Sequence, residues 1–137
     1  MKSKSNIQII GDNLLRTAMI HHSQGDLINA EKAYREAIKI GYFHTSIFTN
    51  LGVICKKSGR TEEALSLYKK AIEIKPENPD PYYNLGNLYI QLRDYKKALS
   101  CLLKTLELKP DNPDALMNLG GIYKDLGNID QALTSSS

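Results

Sequence analysis

The chain has 137 residues, 42% hydrophobic and 24% charged, with 18 Lys plus Arg against 15 Asp plus Glu, two Cys and no Trp. A chain of this length buries roughly 68–70% of its unfolded surface, which excludes any need for disulfides or metal to hold a core and points away from disorder. The net charge of +3 is spread thinly, with no basic stretch to neutralise phosphates, and no run approaches 18 apolar residues; neither nucleic-acid binding nor membrane insertion is expected.

The first ten residues carry Lys2 and Lys4 ahead of Ile7, Ile9 and Ile10, then Gly11 and Asp12 interrupt. That apolar run is too short for a signal core, so residues 1–10 read as an N-terminal extension. From residue 11 onward the chain lines up with itself at an offset of 34. Ala30, Ala64, Ala98 and Ala132 share this step, as do Ala18, Gly52, Gly86 and Gly120, and as do Gly25, Gly59 and Gly127. Residues 45–78 match residues 79–112 at 11 of 34 positions, where unrelated sequences of average composition would match at roughly two.

The units are 11–44, 45–78, 79–112 and 113–137, the last cut short. Each reads as two helices joined by a short turn. In the third unit Tyr82, Leu85, Tyr89 and Leu92 fall at helical spacing, Arg93-Asp94 breaks the pattern, and Ala98, Leu99, Leu102 and Leu106 resume it. Asn78-Pro79 and Asn112-Pro113 place a capping amide before a proline whose missing N–H costs nothing in a first turn. Gly25, Gly59 and Gly127 are expected at the turns inside each pair, Asn128 with Gln131 as a capping pair for the final helix, and Pro76 and Pro110 as helix stops. A Gly in mid-helix costs about 1 kcal/mol against Ala, so its recurrence at 52, 86 and 120 implies close helix packing.

These residues carry a resemblance to the tetratricopeptide repeat family: Phe48, Leu51-Gly52, Ala64, Tyr68, Ala71 and Pro76 in unit two; Tyr82, Leu85-Gly86, Tyr89, Ala98, Leu102 and Pro110 in unit three; Leu116, Leu119-Gly120, Tyr123 and Ala132 in unit four. Unit one is degenerate, with Ala18 for the glycine, His21 for the aromatic and Tyr42 for the proline, as suits an N-terminal cap. The resemblance implies an all-α fold, a right-handed superhelical solenoid of antiparallel helix pairs, three full units plus a truncated fourth. It also implies a protein-interaction module without catalysis or cofactor, binding an extended peptide or partner helix on the face of the first helices.

The sixth position of the units supplies Asn50, Asn84 and Asn118, with Arg16 in unit one. A primary amide donates and accepts, so a ladder of them can pair with a peptide backbone whatever its side chains; packing within the solenoid is the competing role. The ladder is similar to that of the O-linked N-acetylglucosamine transferases. Further candidates are Asp12, Ser46, Asp80 and Asp114 at the second position, Thr49, Tyr83 and Met117 at the fifth, Asn87 at the ninth, and Lys56, Lys57 and Lys124. Tyr83 and Met117 read as apolar anchors. A subclass of the family grips the carboxylate of chaperone C-termini with Lys, Asn and Arg; here those places hold Thr49 and Val53, then Asn84, then Asp114 and Asn118, so the clamp is missing.

Chemistry finds no support in the sequence. His21 and His22 diverge by about 100° on a helix and form no ligand pair, and His21 is read as core packing. Cys55 and Cys101 make no ligand or redox motif, which fits a reducing, cytoplasmic setting. Two alternatives to the binding module stand beside it. One is the substrate-presenting N-terminal segment of a larger glycosyltransferase, since the chain reads as a fragment. The other is a homodimer through the open C-terminal end, using Ala115, Leu119, Ile122 and Leu126.

Overall fold

A computed structural model describes the backbone of residues 4–136 and the side chains of residues 6–127. The described residues form seven helices: α1 (Lys4–Ser23), α2 (Leu27–Lys39), α3 (Thr45–Lys57), α4 (Thr61–Ile74), α5 (Pro79–Gln91), α6 (Tyr95–Leu108) and α7 (Pro113–Ser136). No strand occurs among the described residues, and the fold is all-α as expected. The helices fall into two compact bodies, Met1–Pro76 and Glu77–Ser137. In the first, α1 packs on α2, α2 on α3 and α3 on α4; in the second, α5 packs on α6, and α7 on both. None of the described helices is long and apolar enough to cross a membrane.

The punctuation follows local chemistry. The amide of Asn78 caps α5 by accepting from the Asp80 N–H at 3.1 Å, and Asn112 accepts from the Ala115 N–H at 3.1 Å. Asp26 and Asp94 cap α2 and α6 through the Asn29 and Lys97 N–H groups at 3.2 Å. Gly25 and Gly59 turn the chain with φ of 79° and 80°. Arg93, in the same place of unit three, adopts φ 61° despite its side chain, a left-handed conformation that costs a non-glycine residue on the order of 1 kcal/mol.

The small residues do what their recurrence implies in units two and three. A Cβ on Gly52 would stand 2.6 Å from the ring of Tyr68, and one on Gly86 would stand 3.2 Å from Leu102. Tyr68, Leu102, Tyr34, Ala18, Ala30, Ala64 and Ala98 are completely buried. Gly120 differs: nothing lies within 4 Å of its Cβ position.

Three expectations are corrected. Residues 4–10 are not a separate extension, because α1 begins at Lys4 and runs through Gly11. That glycine is needed inside the helix, since a Cβ there would overlap the buried ring of Tyr42. Tyr42 thus covers the first helix of the chain where other units carry proline. No turn forms at Gly127, because α7 continues to Ser136. The capping pair Asn128 and Gln131 and the small residue Ala132 lie outside the described side chains. Finally His21 is not core packing: it is one-third exposed, with Nδ1 3.4 Å from a carboxylate oxygen of Asp26.

An ion-pair network that the repeat pattern does not announce joins α2 to α4. Arg60 donates to both oxygens of Glu31 at 2.7 Å, while Arg35 donates to Glu31 at 2.8 Å and to Glu63 at 2.9 Å. The Arg60 bonds, with Arg35 assisting, hold the Glu31 carboxyl down at about 2 from its ordinary 4.5. A depressed carboxyl stabilises the fold above its unfolded value and loses that effect as pH falls. We expect a Glu31-dependent share of stability, held to about 1 kcal/mol by solvent screening, to fade between pH 4.5 and about 2. Urea midpoints of wild type and Glu31→Gln should therefore differ at pH 7 and converge at low pH. The glycines give a second test: Gly52→Ala should destabilise by about 1–3 kcal/mol through overpacking, whereas Gly120→Ala should stabilise by up to about 1 kcal/mol. Thermal melts of the two variants read this difference in sign.

Candidate binding face

The first helices α1 and α3 carry the candidate residues of the first body. Along α1, Asp12, Leu15, Arg16, Met19, Ile20 and Ser23 line an open depression of about 490 Å³. Beside it Met19, His22, Ser23, Tyr34 and Asn50 line a second of about 240 Å³. These residues recur every three or four places, so a helix sets them on one side. Met19 and Ile20 are half exposed, at 49% and 51%.

The polar groups here are held by their own neighbours. The hydroxyl of Tyr42 donates to Asp12, and the Gln8 amide donates to the same oxygen at 3.0 Å. These two bonds lower the Asp12 carboxyl, so it stays ionised. Arg16 is exposed and donates to Asn13 at 3.1 Å. Asn50 is half-buried and hydrogen-bonds the hydroxyl of Tyr34, which also lies 3.3 Å from Nδ1 of His22. Burial, then the charge of Lys57, pushes the His22 imidazole below its ordinary value, which keeps the ring neutral and able to accept that bond. Lys56 is half-buried beside the exposed Lys57, and Ser46 is half-buried. Thr49 does not face a ligand: it is buried, and its hydroxyl donates to the Thr45 carbonyl at 2.9 Å.

In the second body α5 and α7 bring three candidates together. Asn118 donates to the Asn87 carbonyl oxygen at 2.6 Å and stands 3.5 Å from the Tyr83 hydroxyl. Asn84 turns inward along its own helix, donating to the Asp80 carbonyl at 3.0 Å. Asp80 and Asp114 are exposed, as is Lys124, and Met117 is 71% exposed. Each asparagine therefore makes an internal bond. An amide has two N–H donors and a carbonyl with two lone pairs, so one such bond leaves capacity for a ligand.

Sequence reasoning overlooked Leu15, Met19 and Ile20, the apolar floor of the larger depression. Leu15 and Met19 occupy the fifth and ninth places of unit one, the same places that single out Tyr83 and Asn87, but the degeneracy of that unit drew attention away from it. The residues read as an open end, Ala115 and Ile122, are instead buried, at 0% and 2%, with Leu119 and Leu126 half-buried. They form the stripe by which α7 packs within its own body.

The Cys55 thiol is quenched rather than primed. Cys55 is buried, with Sγ 3.4 Å from Glu63, and burial together with that carboxylate pushes its thiol up to about 11. Such a thiol is not a nucleophile at neutral pH. Cys101 likewise forms no disulfide among the described residues. Among the described residues no group of three or more His, Cys, Asp or Glu could hold a metal ion.

Comparison with known proteins agrees with this architecture. Models described as TPR repeat and tetratricopeptide repeat match residues 12–40, 52–92, 79–112 and 101–134. No curated protein sequence matches the chain significantly. Among solved structures, MamA is 22% identical with a TM-score of 0.80, covering 90% of this chain and 72% of its own. The first TPR domain of Spaghetti bound to an HSP90 peptide is 20% identical with a TM-score of 0.80, covering 85% of this chain and 93% of its own. An O-GlcNAc transferase variant from Thermobaculum terrenum is 24% identical with a TM-score of 0.80, covering 89% of this chain but only 23% of the transferase. Repeat models matching from residue 12 to residue 134, on helices that recur at a 34-residue step, make this chain a member of the tetratricopeptide repeat family.

Proposed function

We propose that the chain is a non-catalytic protein-interaction module that takes an extended peptide segment on its first helices. The observation that carries this reading is the juxtaposition, in each body, of amides with remaining hydrogen-bond capacity and exposed apolar side chains. Asn50 lies with Met19 in the first body; Asn87 and Asn118 lie with Tyr83 in the second, where α7 also exposes Met117. Amides pair with a peptide backbone while apolar anchors select its side chains, the division of labour of extended-peptide recognition. The likeness to a Spaghetti domain bound to a peptide supports a peptide ligand. Asp114 and Asn118 stand where a carboxylate clamp needs basic residues, so internal segments are favoured over free C-termini.

A displayed library of unstructured peptides, selected on the purified protein, supplies ligands for the test. An Asn50→Ala, Asn84→Ala, Asn118→Ala variant with unchanged helicity should bind the selected peptides at least about tenfold more weakly, given about 1 kcal/mol for each lost hydrogen bond. Equal affinity of the two proteins would assign the asparagines to internal bonding alone.

A further inference from the structure

Three polar side chains of the first body form a chain at the smaller depression. Tyr34 on α2 is fully buried, and its hydroxyl meets the half-buried Asn50 on α3 and, at 3.3 Å, Nδ1 of the half-buried His22 on α1. The rings of His22 and Tyr34 meet edge to face, with centroids 6.1 Å apart. All three residues line the depression of about 240 Å³ beside Met19. The bond directions follow from the donors available. Burial raises the Tyr34 hydroxyl and the Asn50 bond acts against it, as a bond donated to the phenol oxygen does. The Asn50 NH2 is therefore the donor, and the hydroxyl hydrogen of Tyr34 goes to His22, whose Nδ1 accepts it while the ring is neutral. The Asn50 carbonyl oxygen remains for the depression.

Protonation cannot leave this chain as it stands. A charged imidazole carries a hydrogen on each nitrogen and accepts none, so its Nδ1 donates to the Tyr34 oxygen instead. The buried hydroxyl hydrogen then needs a new acceptor, because leaving it unpaired is costly, and the Asn50 carbonyl is the neighbour that can turn to it. We propose that His22 is a pH switch for the peptide face: a proton taken up there reverses the Tyr34 hydrogen bonds and turns the Asn50 amide over, so that Asn50 presents its NH2 to a ligand in place of its carbonyl. The regulation rests on the reading of Asn50 as a peptide contact.

The surroundings set the range. From α3 the charge of Lys57 faces the ring and from α2 the Tyr34 hydroxyl, while Asp26, ahead of α2, pairs with His21 at 3.4 Å. Burial first and Lys57 second hold the imidazole below its ordinary 6.5, so the reversal takes place on the acid side of that value. Asp12, held low by Tyr42 and Gln8, stays ionised there. The places equivalent to His22 hold Lys56, Ile90 and Lys124; a protonated lysine or an isoleucine accepts no hydrogen bond, which confines the switch to unit one.

The switch is tested in the free protein by following the His22 ring and the Asn50 side-chain NH2 by NMR from about pH 7.5 to about pH 5, with helicity checked by circular dichroism. In wild type the Asn50 signals should move with the His22 midpoint, below pH 6.5. They should stay in place in Tyr34→Phe, which breaks the chain, and in His22→Gln, which accepts the Tyr34 hydrogen but does not titrate. Asn50 signals that ignore the His22 titration, or that still move in His22→Gln, would overturn the proposal. A selected peptide without His, Asp or Glu gives the second readout. Its wild-type affinity should fall about fivefold between the two pH values, the worth of about one hydrogen bond, and in His22→Gln the ratio should return to about one whatever that variant's own affinity. Asn50 signals that move while the wild-type ratio stays at one would overturn the peptide reading of Asn50 and the regulation with it, whereas an unmoved Asn50 amide overturns the switch and leaves the peptide reading intact.

Discussion

The contact between a residue without a side chain on one helix and a large side chain on the next sets the spacing of this protein. Gly52 lies under the ring of Tyr68, Gly86 under Leu102, and in unit one Ala18 and Tyr34 occupy the same places, both fully buried. Helix packing distance is governed by the side chains at the point of contact. A glycine there lowers helix propensity by about 1 kcal/mol, a cost that closer packing of the bulky partner offsets. Because the pair must meet at this point, the alanines at 30, 64 and 98 are small and buried as well. The first helices then present their other side outward, and that is where Met19, Asn50, Tyr83, Asn118 and Met117 lie.

The two ends of the repeat depart from the rule in opposite ways. At the beginning, α1 runs seven residues further back than the repeat unit and is covered by Tyr42, whose ring rests on Gly11 and whose hydroxyl is bound to Asp12. A residue that looks like a lost proline is a replacement cover. At the other end α7 keeps the glycine without the side chain that should press on it, and leaves Leu116 and Tyr123 exposed. The same place in the repeat is thus a closed contact in α3 and α5 and an open surface in α7.

How far the sequence carried the reading depends on the range of the interaction involved. Helix boundaries at Asn78, Pro79, Asn112 and Pro113 were legible because capping and proline geometry are local. The buried alanines and the glycine contacts were legible because the 34-residue repeat reports the same packing three times over. Interactions made once leave no such trace. The Arg60–Glu31–Arg35 network joins residues 29 apart across α2 and α4, and no periodicity marks it. The same holds for Tyr42 on Gly11, where only the structure shows that the glycine sits inside a helix. The missing turn at Gly127 shows the limit of repeat reasoning itself: a glycine permits a turn but does not impose one. The proposed binding residues lie on first helices, a position that the repeat makes legible, whereas their internal hydrogen bonds, Asn118 to Asn87 and Asn50 to Tyr34, depend on neighbours that a linear pattern does not specify.

The unreactive state of the Cys55 thiol follows from the same packing. Cys55 takes the aromatic place of its helix, so it is buried and its thiol is held neutral beside Glu63, while the ion pairs around it join helices rather than line a cleft. In the function we propose, what the fold offers a ligand is shape and amide chemistry on the first helices. All of this depends on the glycine-to-ring contact, and a double-mutant cycle on Gly52 and Tyr68 tests it most directly. Unfolding free energies would be measured for wild type, Gly52→Ala, Tyr68→Leu and the double variant, Leu being the residue that unit three carries at this place. If the two residues press on each other, the cost of Gly52→Ala should fall by at least about 0.5 kcal/mol once Tyr68 is Leu, the coupling typical of residues in contact. Additive costs would contradict the account, because the glycine would then be present for a reason other than the side chain packed against it.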